Sequence, residues 1–137
     1  MEQAKKLNVL SKITKVKGIF LVLLGIVHII GSYFEYGKIK SEMSKDLSHD
    51  YITWFIALGY FLMFMGSIDL LTYKGLKQKM IWVWKISTAT SVFTIIAGLT
   101  GTIAFINSPS PPNLILLSGI ISIIALLSSK KEFYQTN

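Results

Sequence analysis

Four long apolar runs constrain this sequence more than any other feature. They cover about residues 18–36, 51–73, 80–106 and 112–129. A helix rises about 1.5 Å per residue, so about 20 apolar residues cross a hydrocarbon layer of about 30 Å. Short connections make consecutive spans antiparallel neighbours. The runs therefore predict an all-α integral membrane protein: one domain, a four-transmembrane-helix antiparallel bundle, preceded by a basic leader over residues 1–17.

The composition agrees with a membrane protein and excludes several functional classes. Hydrophobic residues make up 52% and charged residues only 15% of the chain, whereas soluble domains carry about 25% charged residues. With no cysteine, disulfides, thiolate metal sites and cysteine nucleophiles are excluded. All 14 basic residues are lysine, and nucleic-acid readers rely on the bidentate arginine fork. We therefore expect no nucleic-acid partner.

The distribution of the lysines predicts the orientation. Eleven lie before the first span, around the connection between spans two and three, or in the C-terminal tail, and three lie in the first connection. Positive charge favours the cytoplasmic side, so both termini should be cytoplasmic in a cell membrane. Residues 1–17 could be a short helix lying on anionic inner-leaflet lipids or a frayed basic segment.

His28 is the ionisable residue nearest the predicted midplane. It shares a helical stripe with Gly25, Ser32 and Glu35, and small residues on that stripe favour a face turned into the bundle. A proton relay, a substrate-binding imidazole and an axial haem ligand are functional interpretations. The structural alternative is a neutral histidine bonded to a hydroxyl of another helix. Haem is disfavoured because the second histidine, His49, lies in the predicted external connection.

The third span is rich in small and hydroxylated residues. Thr90 and Thr94 share a stripe with Gly98, and Ser118 belongs to a small-residue pair in the fourth span. Two interpretations are open. Such residues allow close helix packing with hydroxyls bonded across the interface, or they line a polar groove for a small substrate beside His28.

Asp69 and Lys85 are a candidate buried ion pair. They are equidistant from residue 77, in the short turn between spans two and three, so they lie at equal depth in an antiparallel hairpin. Opposite charges within a membrane tend to pair. The alternative is that Lys85 extends to the headgroups and Asp69 bonds Tyr73, one turn away.

No motif points to catalysis or to a metal. The sequence has no nucleophile elbow, no zinc-protease motif and no glycine-rich phosphate loop. Acidic residues and His49 follow the first span, but their spacing matches no metal motif and lysines are interleaved. We expect no metal and no cofactor, and find no support for an enzyme.

The layout resembles a group of small bacterial membrane proteins. The resemblance is carried by Gly25-Ile-Val-His28, by Trp54-Phe55 followed by Gly59 and Gly66, and by Pro111 and Pro112 before the last span. These features, with four short spans, resemble small uncharacterised four-helix membrane proteins, some grouped with DoxX-like proteins. The resemblance covers most of the chain as a layout and implies a cell-membrane location without an established activity.

Three functions are consistent with these observations. The first is an accessory or structural membrane protein that acts through helix contacts with itself or with a larger membrane partner. The second is a small-substrate or proton-coupled transport protein centred on His28, with Thr90, Thr94 and Ser118 as lining. The third is a haem-binding membrane protein.

Overall fold

Helices account for the regular structure of the described chain. A computed structural model describes the backbone of residues 2–42, 45–104 and 111–134, and the side chains of residues 2–37, 48–103 and 112–134. Over those ranges there is no strand, which confirms the predicted all-α class. The helices are α1 (Glu2–Glu42), α2 (Lys45–Lys77), α3 (Ile81–Ala104), α4 (Pro111–Ser128) and α5 (Lys130–Tyr134).

Three of these helices are long and apolar enough to cross a membrane. The qualifying stretches are Glu2–Gly37, Ser48–Lys77 and Ile81–Ile103. The corresponding part of α4, Pro112–Ser128, is apolar but shorter. Residues 105 and 106, the predicted end of the third span, lie outside the described residues. The length and composition of these helices therefore indicate a membrane protein.

The predicted boundary at residue 18 is not a structural boundary. Helix α1 runs without a break from Glu2 through the basic leader and the first apolar run. Leu7, Leu10 and Thr14 of the leader are buried, so residues 2–17 belong to the packed bundle. At the other end α1 continues to Glu42 and α2 begins at Lys45, so most of the predicted external connection is helical.

Small residues bring α1 and α2 into close contact. Gly18 and Gly25 on α1 face Gly66 and Gly59 on α2, respectively. A Cβ atom added to Gly66 would lie 2.6 Å from the Gly18 carbonyl oxygen, and one added to Gly25 would lie 2.6 Å from that of Gly59. Seven residues before Gly18, Ser11 Oγ donates to the Tyr73 carbonyl at 2.9 Å. The backbones thus touch along an antiparallel seam with small residues seven apart.

The bundle is completed by α3 and α4, which form a second antiparallel pair. Gly119 of α4 packs against Ile95 and Ser91 of α3, and Gly101 packs against Pro112. Around the bundle, α1 contacts α2 and α4, and α3 likewise contacts both of them. Two buried apolar clusters fill the interior, one near the α2–α3 turn and one further along. The cluster near the turn consists of Leu7, Leu10, Leu76, Val83, Trp84, Leu126 and Phe133. The other consists of Leu21, Leu62, Met65 and Ile115.

The α1–α2 hairpin extends beyond the described parts of α3 and α4. Leu58 of α2 and Gly101 of α3 line the same groove, and α3 ends at Ala104, less than one turn later. Helix α2 has 13 residues before Leu58 (58 − 45 = 13), which is about 20 Å of helix. In this extension Phe34 and Trp54 are each 77% exposed.

Candidate functional site

A buried ion pair joins α1 to α2 inside the bundle. Lys17 Nζ lies 3.0 Å from Asp69 Oδ2, and the two residues are only 3% and 0% exposed. Burying a charged group is costly unless it is paired and hydrogen-bonded. The opposite charges of Lys17 and Asp69 form a neutral unit that meets this condition.

Hydroxyl groups of α3 and α4 surround the pair. Lys17 Nζ donates to Ser91 Oγ at 2.8 Å and to Thr90 Oγ1 at 3.3 Å. Thr90 Oγ1 donates to Asp69 Oδ1 at 2.8 Å. Ser91 Oγ donates to Ser122 Oγ of α4 at 2.9 Å. The ammonium group thus has two hydroxyl acceptors, and its contact with Asp69 Oδ2 is an ion pair without hydrogen-bond geometry. The network therefore connects all four long helices.

The local sequence explains why Lys17 points inward. Leu10, Thr14, Lys17 and Leu21 recur at spacings of four, three and four residues, which places them on one face of α1. All four are buried. The neighbouring Gly18 lets α2 approach so closely that a Cβ atom added there would lie 3.1 Å from Asp69 Cβ. Close backbone contact therefore brings Lys17 and Asp69 within bonding distance.

The predicted partner of Asp69 was wrong. Lys85 is exposed on α3, and Asp69 forms its ion pair with Lys17 instead. Equal distance from a turn sets equal depth, but it does not set the rotation of each helix about its axis. On α3 it is Thr90 that faces Asp69, while Lys85 lies on the outside.

His28 lies beyond this network, at the rim of the bundle. It is half-buried, and its ring stacks on Phe55 of α2 with a centroid distance of 4.8 Å. Its Nε2 atom is buried and has no hydrogen-bond partner among the described residues. His28 is eleven residues after Lys17, about 16 Å along the helix. The structure therefore separates His28 from the cluster that contains Thr90.

The other candidate residues are divided between these two regions. Ser32 is buried, but its hydroxyl donates to the His28 carbonyl at 2.7 Å rather than to the imidazole. Glu35 is exposed. Thr94 is buried and donates to the Thr90 carbonyl at 2.7 Å. Ser118 is half-buried and lines an outer groove together with Lys17.

The polar interior has few groups suited to holding a metal. Among the described residues, no group of three or more His, Cys, Asp or Glu side chains could hold a metal ion. Thr14 Oγ1 and Ser87 Oγ are buried without a hydrogen-bond partner in that part of the chain. Thr14 lies one turn before Lys17, and Ser87 one turn before Ser91. The cluster is thus one ion pair with hydroxyl groups around it.

Sequence reasoning missed Lys17, the central residue of the cluster. The prediction assigned it to a cytoplasmic leader because five lysines precede the first apolar run. A signal was nevertheless present: small residues recur every seven positions at Ser11, Gly18, Gly25 and Ser32. That repeat crosses the assumed boundary, which indicates one continuous helix packed along its whole length.

Comparisons with known proteins add no relative. No protein-family model matches the chain, and no curated protein and no solved structure matches it significantly. The resemblance to DoxX-like proteins therefore stays a prediction from the layout.

Proposed function

We propose that this protein is a four-span accessory or structural protein of the cell membrane that acts through helix–helix contacts. Both termini are cytoplasmic in this proposal, and α4 is the fourth span despite its shorter length. The partner is a second copy of the chain or a larger membrane protein.

The observation that supports the proposal is that the two charged side chains inside the bundle bind each other and neighbouring helices. Lys17 and Asp69 bind each other and the hydroxyls of Thr90 and Ser91, so these groups hold helices together. A polar network of this kind favours a rigid bundle, which can present a fixed outer surface to a partner helix. The extension of the α1–α2 hairpin, with Phe34 and Trp54 exposed, supplies surface beyond the cover of the described α3 and α4.

The proposed orientation can be tested by labelling single cysteines, since the chain has none. Asp50→Cys and Lys77→Cys both replace exposed residues near opposite ends of α2. In intact cells, a membrane-impermeant maleimide should label position 50 and leave position 77 unlabelled until the cells are lysed. The reverse pattern would show that the orientation is inverted, and labelling of both in intact cells would refute a spanning α2.

The proposed helix-contact function can be tested by cross-linking in the native membrane. A photo-reactive amino acid at Phe34 probes the hairpin extension, and one at Leu71 is the matched control. Leu71 is 83% exposed but lies at the opposite end of α2. We expect a discrete cross-linked protein from position 34 and only diffuse lipid products from position 71. Equal products from both positions would argue against a specific contact at the extension.

A second candidate function, a proton-coupled or small-substrate transport protein centred on His28, is favoured by one observation. The imidazole Nε2 is buried without a partner in the described chain, and a buried polar atom of this kind calls for a proton donor or a bound ligand. His28→Leu in a strain that depends on the protein separates the candidates. Loss of phenotype with the fold preserved would favour transport, and an unchanged phenotype would favour helix contacts.

A further inference from the structure

A groove runs along the outside of the bundle between α1 and α4. These two helices pack against each other less extensively than α1 packs against α2 or α3 against α4. The groove consists of two parts, which follow each other along α1 and share no lining residue. The first lies between the first turns of α1 and the end of α4, and the second lies between the next turns of α1 and the middle of α4.

The first part combines positive charge with hydroxyl groups. It has a volume of about 400 Å³. Its lining includes Lys5, Lys6 and Val9 of α1 and Ala125 and Ser128 of α4. Glu2 also lines it and is the single acidic residue in either part. The Ser128 hydroxyl donates to the Ala125 carbonyl at 2.9 Å, so the ammonium groups of Lys5 and Lys6 supply the donors in this part. Ammonium groups beside apolar side chains match a phosphate group attached to an apolar chain.

The surface inside the second part is apolar, although Lys12, Lys17 and Ser118 are among its lining residues. This part has a volume of about 380 Å³, and its lining includes Val16, Phe20 and Ile121. Lys12 contributes from the rim nearer the first part and is exposed. Lys17 also lines this part, but Asp69 neutralises its charge. The polarity of the groove therefore changes along its length, from basic to apolar.

The length of the groove fits one leaflet of a bilayer. Lys6 and Phe20 are 14 residues apart (20 − 6 = 14) on one continuous helix, which is about 21 Å. A hydrocarbon core of about 30 Å, or about 40–45 Å with both headgroup layers, gives about 20–22 Å for a single leaflet with its headgroups. A lipid lying parallel to α1 therefore spans the groove from its basic to its apolar end.

We propose that this groove binds one anionic phospholipid. The phosphate lies among Lys5, Lys6 and Lys12, and an acyl chain lies against Val16 and Phe20. Charge complementarity selects an anionic headgroup, since the lining of the groove has three lysines outside the ion pair and only one glutamate. The proposal rests on the proposed insertion into a bilayer and is independent of the accessory role.

Native mass spectrometry of the purified full chain tests the proposal. The protein is released from detergent after exchange into equal amounts of phosphatidylglycerol and phosphatidylcholine with identical acyl chains. We expect one retained phosphatidylglycerol in clear excess over phosphatidylcholine. Equal retention of the two lipids, or no retained lipid, would overturn the proposal.

Variants of the basic end distinguish a site from general charge attraction. Lys5→Gln together with Lys6→Gln should weaken phosphatidylglycerol retention by about 30-fold, given the usual contribution of a lysine near an anionic headgroup. The control, Lys74→Gln with Lys77→Gln, removes two exposed lysines from the end of α2 and should leave retention unchanged. Equal losses in both double variants would refute a localised site.

Variants of the apolar end test the position of the acyl chain. Val16→Trp should fill the second part and displace the lipid. The matched control is Val27→Trp, because Val16 and Val27 are 65% and 64% exposed on the same helix and Val27 lies outside the groove. Unchanged retention in Val16→Trp would refute the groove as the binding site. Cross-linking at position 34 should be unaffected in these variants, so a failure here is distinguishable from failure of the helix-contact proposal.

Discussion

Lys17 and His28 lie on the same helix and have opposite environments. Lys17, in the predicted leader, is enclosed and bonded to groups from α2 and α3. His28, at the predicted midplane, is half-buried and touches one aromatic ring of α2. Neighbouring helices, rather than position along an apolar run, therefore decide which polar group lies in the core.

The lengths of the helices account for the difference. At the level of Lys17 the bundle contains four helices, because α1 and α2 share the ion pair and the Ser91–Ser122 hydrogen bond joins α3 to α4. His28 follows Gly25, which faces Gly59 of α2, and α3 ends within a turn of the level of Leu58. At that level the described bundle is passing from four helices to two, so His28 has fewer neighbours available.

The largest effect is expected from breaking the ion pair on one side. Asp69→Asn leaves the Lys17 charge buried without a counter-ion, which should lower the free energy of unfolding by about 3–5 kcal/mol. The measurement is reversible unfolding in mixed detergent micelles. Lys85→Gln is the matched control, and a change within about 0.5 kcal/mol is expected because Lys85 is exposed.

A double variant sharpens this result. Lys17→Met combined with Asp69→Leu removes both charges and should recover much of the stability lost in Asp69→Asn. The double variant is compared with Lys17→Met and Asp69→Leu alone. If its loss of stability equalled the sum of the two single losses, or if Lys85→Gln were as damaging as Asp69→Asn, the assignment of the partner would be wrong.

A smaller loss should follow from separating the helices that hold the pair. Gly66→Ala places a Cβ atom 2.6 Å from the Gly18 carbonyl oxygen, so the backbones must move apart, at a cost of about 1–3 kcal/mol. Gly31→Ala is the control, since a Cβ atom there meets nothing within 4 Å and alanine favours the helix by up to about 1 kcal/mol. Thermal unfolding of both variants should shift in opposite directions. A shift in the same direction would contradict the close seam.

Removing one hydroxyl from the network should have an intermediate effect. Thr90→Val preserves the shape but removes an acceptor for Lys17 and a donor to Asp69, so a loss of about 1–2 kcal/mol is expected. Thr100→Val is the matched control, because Thr100 is exposed and donates only to the Ile96 carbonyl one turn back. Equal stabilities of the two variants would show that the Thr90 contacts contribute nothing.

The smallest effect is expected from replacing His28. His28→Leu removes a stacked ring at the rim of the bundle and should change the free energy of unfolding by less than about 1 kcal/mol. The same micelle unfolding assay measures it alongside Asp69→Asn. A loss as large as that of Asp69→Asn would show that His28 is as central to the bundle as Lys17.

The helical elements and their antiparallel order could be predicted from local properties of the sequence. The apolar runs and the short turn after Lys77 are local properties, because about 20 apolar residues in a row satisfy their backbone groups best as a helix. The α2–α3 turn is also set locally: Lys79 has a positive φ of 56° and Met80 N donates to the Gly75 carbonyl, as in a common helix-ending motif. The extent of α1 was less predictable, since lysines alone do not end a helix.

The partners of the buried polar groups, in contrast, depend on how the helices pack. Depth along each helix was readable, and it placed Asp69 and Lys85 level with each other. Rotation about each helix axis was not readable from depth, because it is set by which faces pack, here through Gly18 and Gly66 on one side of the pair. That packing turns Lys17 and Thr90 toward Asp69 and leaves Lys85 outside. A buried charge pairs with the group that the packed backbones bring within about 3 Å, and that distance depends on contacts between residues far apart in the chain.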